Sequence, residues 1–220
     1  MNRLLLASLL LICINAFSQD TKAPQPAIPA PPTPVELMLG NNRANMLMIM
    51  NRPIDSRKKF SFFNVTVGAA DYKNNVAETD IVINNALLYN LRKHFNASMG
   101  LQWNYKIGLV PSVGIQYSKA TPDYLIVIFP SYNFLPSAGV ETVAITEIKP
   151  KLSEKTRLYT RVQGLYVQNI KVGVHARSGF SLRAGLTLGK FSFGLGTNFD
   201  FYGPQKIDKV NTGVFTQIKL

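Results

Sequence analysis

Along residues 180–203, FSLRAGLTLGKFSFGLGTNFDFYG, apolar and polar positions trade places almost residue by residue. Phe180, Leu182, Ala184, Leu186 and Leu188 alternate with Ser181, Arg183, Gly185 and Thr187. After Gly189 and Lys190 the pattern resumes, with Phe191, Phe193, Leu195, Phe199 and Phe201 set against Ser192, Gly194, Gly196, Asn198 and Asp200. A period of two on both sides of a two-residue turn predicts a β-hairpin with one apolar and one polar face. Its arms run to about ten residues, longer than the five or six usual in globular proteins.

The alternation recurs through 60–71 (Phe63, Val65, Val67 and Ala69 against Asn64, Thr66 and Gly68), 80–92, 96–105 and 110–118. It is weaker in 123–134, 139–149 and 156–168, and the chain closes on VNTGVFTQIKL. This predicts about ten strands over residues 59–220, within a range of roughly 8–12. Short connections such as RKHF and GK alternate with somewhat longer ones such as YKNNVAET and NIKVGVHARS, as periplasmic turns alternate with external loops. Residues 35–58 resist assignment, because the continuous run Met46–Met50 fits a strand, a helix or a peg equally well. They are expected to form a periplasmic lead segment that docks on the barrel mouth or enters its lumen. A lone eleventh strand would break the even count kept by single-chain bacterial barrels.

The first residues change the picture. Asn2 and Arg3 precede an apolar run from Leu4 to Ile14, followed by Ala16 and Ser18, the pattern of a secretory signal peptide over 1–18. Residues 19–34 are rich in proline and read as an extended, disordered linker. The one cysteine, Cys13, lies inside the leader, so an exported chain has no disulfide to staple it. The formal charge of +12 would suggest nucleic acid in a cytosolic protein. Behind a leader it suits anionic lipid head groups, and no nucleic-acid partner is expected. After the leader no run is long and apolar enough for a spanning helix, which leaves a closed barrel as the other way across a bilayer.

On these grounds the fold class is all-β, an antiparallel transmembrane β-barrel. Phe191, Phe193, Leu195, Phe199 and Phe201 face lipid, whereas Gly, Ser, Asn and Arg face a polar lumen. Tyr72, Tyr89, Trp103, Tyr105, Tyr117, Tyr124, Tyr159 and Tyr202 lie near strand ends, where interfacial aromatic girdles are expected. From residue 59 onward the chain resembles the small single-chain outer-membrane β-barrel proteins of Gram-negative bacteria. The resemblance rests on the alternating strands, on GLTLGKFSFGLGTNFDFYGP and on a terminal strand finishing in Leu220. It implies a location in the outer membrane with the N-terminal segment in the periplasm, contact with outer-membrane lipid, and room for a periplasmic or outer-membrane protein partner.

The same phase places Glu141, Glu147, Arg161, Gln163, Arg183, Asn198 and Asp200 in the lumen. They are expected to form one network, either stabilising the wall or acting as a selectivity ring in a narrow channel. The expected function is therefore a non-enzymatic scaffold or narrow channel, without a cofactor or metal. The alternative is a rim hydrolase acting on lipid, built from His175 and Ser178 with Asp200 approaching from the neighbouring strand.

Overall fold

In a computed structural model the described residues are 31–73, 75–134 and 138–220. The expected leader, and the proline-rich linker up to residue 30, lie outside them. Twelve strands follow in chain order: Pro34–Gly40 (β1), Arg43–Pro53 (β2), Phe60–Asp71 (β3), Asp80–Arg92 (β4), Phe95–Asn104 (β5) and Gly108–Ala120 (β6), then Tyr124–Asn133 (β7), Gly139–Ile148 (β8), Thr156–Asn169 (β9), Val174–Leu188 (β10), Phe191–Tyr202 (β11) and Ile207–Lys219 (β12). Each pairs antiparallel with its neighbours in sequence, and β1 pairs with β12 to close the barrel. Backbone bonds between Thr33 and Leu220, at 2.9 and 3.0 Å, extend that seam by one step. No helix among the described residues is long and apolar enough to cross a membrane.

Ten strands become twelve because residues 35–58 are not a docked lead segment. They supply β1 and β2, so the barrel begins at Pro34 and the linker expected to reach residue 34 stops short of Thr33. The even count is preserved because two strands were missed, not one. In β1, Leu37 and Leu39 point out while Glu36 and Met38 are buried in the lumen. In β2 both faces are largely apolar, which gives the continuous Met46–Met50 run its unreadable period.

The outer wall carries a nearly unbroken apolar surface: Leu39, Met99, Leu101, Ile115, Phe193, Leu195 and Val214 all point away from the lumen. Aromatic pairs stand near the strand ends. Phe60–Tyr89 and Phe95–Tyr117 (ring centroids 5.2 Å apart in each pair) lie toward the end bearing the termini, and Tyr132–Phe134 (5.1 Å) toward the other. Lys59 and Lys119 reach over the rings of Tyr89 and Tyr124 at the terminal end. Two expected girdle residues are elsewhere. Tyr159 is fully buried in the lumen, and Tyr202 lies on the inner face beside Arg177, whose guanidinium sits 5.0 Å from its ring. Both belong to the inward phase of their strands.

The rule of apolar outside and polar inside fails on β3. Phe63, Val65, Val67 and Ala69 face the lumen, and Asn64 and Thr66 face outward. Asn64 Nδ2 donates to Asn85 Oδ1 across the β3–β4 ladder at 2.8 Å, and Thr66 Oγ1 donates to Asn64 Oδ1 at 3.1 Å. That mutual pairing satisfies polar groups which an apolar medium would otherwise penalise by several kcal/mol.

Candidate functional site

Eight strands enclose just enough space for their own side chains, and sixteen leave a water-filled channel. Twelve strands fall between these cases, and the lumen is accordingly part packed and part open. The packed part fills the half toward the termini. Met38, Tyr159 and Phe215 form one cluster against the β1–β12 seam, and the tilted rings of Tyr159 and Phe215 have centroids 5.6 Å apart. Across the bore Phe63, Ala86, Leu88 and Phe129 form a second cluster, in which Phe63 and Phe129 meet edge to face at 6.0 Å.

The seam-side cluster is threaded by ions. Glu36 Oε1 accepts from Arg161 Nη2 at 2.8 Å and from Arg183 Nε at 2.9 Å, and all three side chains are at most 4% exposed. Arg183 Nη1 also donates to Asn198 Oδ1 at 2.9 Å. The Tyr159 hydroxyl donates to Glu147 at 3.1 Å, and Glu147 is paired with Lys149 at 2.6 Å. Gly196 makes room for this arrangement: a Cβ there would lie 2.8 Å from Arg183 Cδ, so the guanidinium stem lies flat on a bare stretch of wall.

A second ionic layer spans the opposite mouth. Asp200 accepts from Arg43 at 2.6 Å and from Arg177 at 3.0 Å, and Arg177 also pairs with Asp80. Beside it the fully buried Asn211 holds the β1–β2 turn, accepting from Asn42 N at 3.1 Å and donating to Asn45 Oδ1 at 2.7 Å. Gly40 is required at this close approach, since a Cβ would fall 2.2 Å from Asn211 Oδ1.

The seven lumen residues expected from the sequence therefore do not form one network. Arg161, Arg183, Glu147 and Asn198 gather around Glu36. Asp200 belongs to the mouth layer, and Glu141 and Gln163 belong to neither ion cluster. Those two line a chamber of about 400 Å³ between the packed half and the mouth. Its remaining wall is largely aliphatic, with Leu47, Val67, Val127, Val143, Ile145 and Leu165 facing in. Glu36, Arg43, Asp80 and Arg177 were missed. The alternation in VELMLG would have placed Glu36 opposite Leu37 and Leu39 had residues 35–40 been taken as a strand. Phe191, Phe193 and Leu195 point outward and are exposed; Phe199 and Phe201 share their phase and are half-buried.

On the outer wall near the mouth, His175 Nδ1 lies 2.7 Å from the Gly203 carbonyl, and Nε2 lies 3.0 Å from Ser178 Oγ. A carbonyl only accepts, so Nδ1 carries the proton, and in the neutral ring Nε2 is left to accept from the serine hydroxyl. Asp200 does not join this pair. Its carboxylate is engaged inside the lumen by Arg43 and Arg177, so the expected third member of a triad is absent from that position. Among the described residues no group of three His, Cys, Asp or Glu side chains could hold a metal ion.

A closed antiparallel barrel, apolar over its outer wall and charged at its seam-side core, is a membrane-spanning β-barrel. No family model and no curated protein matches the chain. Among solved structures it is similar to a NanC porin (10% identity over 87% of this chain and 100% of that one, TM-score 0.45). It is also similar to the trimer form of OmpT, an outer-membrane protein of Vibrio cholerae (8% identity over 86% and 98%, TM-score 0.41), and to a bacterial polysaccharide outer-membrane secretin (10% over 81% and 69%, TM-score 0.42).

Proposed function

We propose that the protein is an outer-membrane barrel that does not conduct, a wall-anchored scaffold whose lumen is closed at the end bearing its termini. The observation supporting this is the packed terminal half of the bore. Met38, Tyr159, Phe215, Leu88 and the Glu36–Arg161–Arg183 cluster are all nearly or fully buried there, whereas a selectivity ring must leave a wet path along its axis. The ions on the seam side act as ties between β1, β9 and β10. In a planar bilayer the purified full chain is expected to give no single-channel steps. Reproducible conductance from the native chain would overturn the reading in favour of a narrow channel.

The His175–Ser178 contact favours a second reading, an acyl-ester hydrolase working on lipid beside the outer wall. His175 Nε2 would take the Ser178 proton as the oxygen attacks an ester carbonyl, and the Gly203 carbonyl would hold the ring tautomer. A backbone carbonyl steadies the developing imidazolium less than a carboxylate does, which ranks this reading second. Incubating the reconstituted protein with phospholipid and lipopolysaccharide tests it. Fatty-acid release lost in both His175→Ala and Ser178→Ala would establish it, and no release from the native chain would remove it.

A further inference from the structure

We infer that the chamber is a binding site for a single-chain amphiphile with an amino head group, entering from the mouth opposite the termini. The inference builds on the closed floor just described. A lumen filled only with water has no use for an aliphatic wall, yet Leu47, Val67, Val127, Val143 and Ile145 turn inward here. On β3 and β7 the inner face is as apolar as the outer over residues 63–69 and 125–129. The volume of about 400 Å³ is at the small end of ligand pockets, which run from about 300 to 1,000 Å³. It suits one alkyl chain and is too small for a two-chain lipid.

The polar groups of the wall choose the head. Glu141 is the third residue of β8, near the mouth, and among the described residues it makes no ion pair. Its carboxylate accepts from Asn133 Nδ2 at a long 3.4 Å and from the Gln102 side chain, both of them neutral amides. Asn84 Oδ1, also on the chamber wall, is buried without a hydrogen-bond partner. Glu141 thus lacks a salt-bridge partner among the described residues, and Asn84 Oδ1 lacks a donor. The cation nearby, Arg177, is already shared between Asp80 and Asp200. An ammonium head would complete Glu141 with a charge-assisted bond, a hydroxyl would do so more weakly, and a carboxylate would meet a like charge. The chain then runs down the aliphatic wall to the floor formed by Phe63 and Phe129.

Equilibrium dialysis of decylamine, decanol and decanoate against the full chain in lipid nanodiscs tests this, with empty nanodiscs subtracting partition into lipid. The expected result is one saturable decylamine per chain, with decanol weaker and decanoate absent. Val143→Trp fills the chamber and should abolish saturable binding. Glu141→Gln keeps its shape and should weaken decylamine about tenfold, the loss of roughly one charge-assisted contact, while leaving decanol unchanged. Heat-modifiable gel mobility confirms that each variant is folded; if Val143→Trp is not, Glu141→Gln decides. No saturable amine, decanoate binding as tightly as the amine, or unchanged amine affinity in Glu141→Gln would each overturn the inference. Conductance is read separately, so a barrel that conducts yet binds the amine would refute the closed floor alone.

Discussion

The two sides of this lumen solve the same problem with opposite chemistry. From β9 through β12 to β1 the inner face is charged and hydrogen-bonded, with Glu36, Arg161, Arg183, Asn198 and Asp200 linked across strands. On β2, β3, β7 and the middle of β8 it is mostly aliphatic and aromatic, with Leu47, Val65, Val67, Phe129, Val143 and Ile145 facing in. Direction and register are specified strongly on the ionic side, because a charge slipped by one residue would face the membrane. The aliphatic side lacks that penalty, and it is the side where open space remains.

Breaking the ionic side should cost most. Glu36→Ala leaves Arg161 and Arg183 buried without a counter-charge, and a loss of about 3–5 kcal/mol is expected, visible as a lower urea midpoint for the folded gel band. Replacing Glu36, Arg161 and Arg183 together by apolar residues of similar volume should recover most of that loss; if it does not, the ions stabilise the wall beyond compensating one another. On the aliphatic side, Phe129→Ala should cost about 3 kcal/mol, the lower end for a buried phenylalanine, because the chamber already borders the ring. Equal losses in Glu36→Ala and Phe129→Ala would erase the contrast.

A third substitution separates inside from outside. Leu195→Arg, on the outward face of β11, should destabilise the inserted barrel by about 2–4 kcal/mol if it lies near the midplane, whereas Val143→Asn on the chamber wall should cost less. The smallest effect lies in a turn that belongs to neither side. The Phe60 and Lys59 backbone N–H groups donate to Asp55 at 2.6 and 3.1 Å, and the Phe60 bond foremost holds that carboxyl below its usual 3.8. The turn's contribution is present at neutral pH and fades as pH falls through the depressed value. Asp55→Asn should therefore flatten the acid limb of the stability profile slightly.

The same contrast explains what the sequence disclosed. On β5, β6, β10 and β11 one face is apolar and the other polar, so the alternation is plain, and Arg183, Asn198 and Asp200 lie buried on the polar face. On β2 and β7 both faces are largely apolar, and period-two reasoning loses its signal: LMIM in β2 and LIVIF in β7 carry no phase. That is why residues 35–58 read as a docked segment, whereas β3 alternates plainly but turns its apolar phase, Phe63, Val65, Val67 and Ala69, toward the lumen. Which inward charges would meet was not legible at all. Glu36 lies 125 and 147 positions from its two arginines, and only closure of the ring brings them within reach.

That seam has a temporal consequence. β1 is seven residues long, the shortest strand, and it cannot find β12 until nearly the whole chain has been synthesised and threaded into the bilayer. Until then the first and last strands both present bare edges. When the final strand arrives, Glu36 is carried onto Arg161 and Arg183, and the hairpin β1–β2 is latched from within. The newest and oldest parts of the chain thus fasten each other, and the molecule is complete only when its last strand is home.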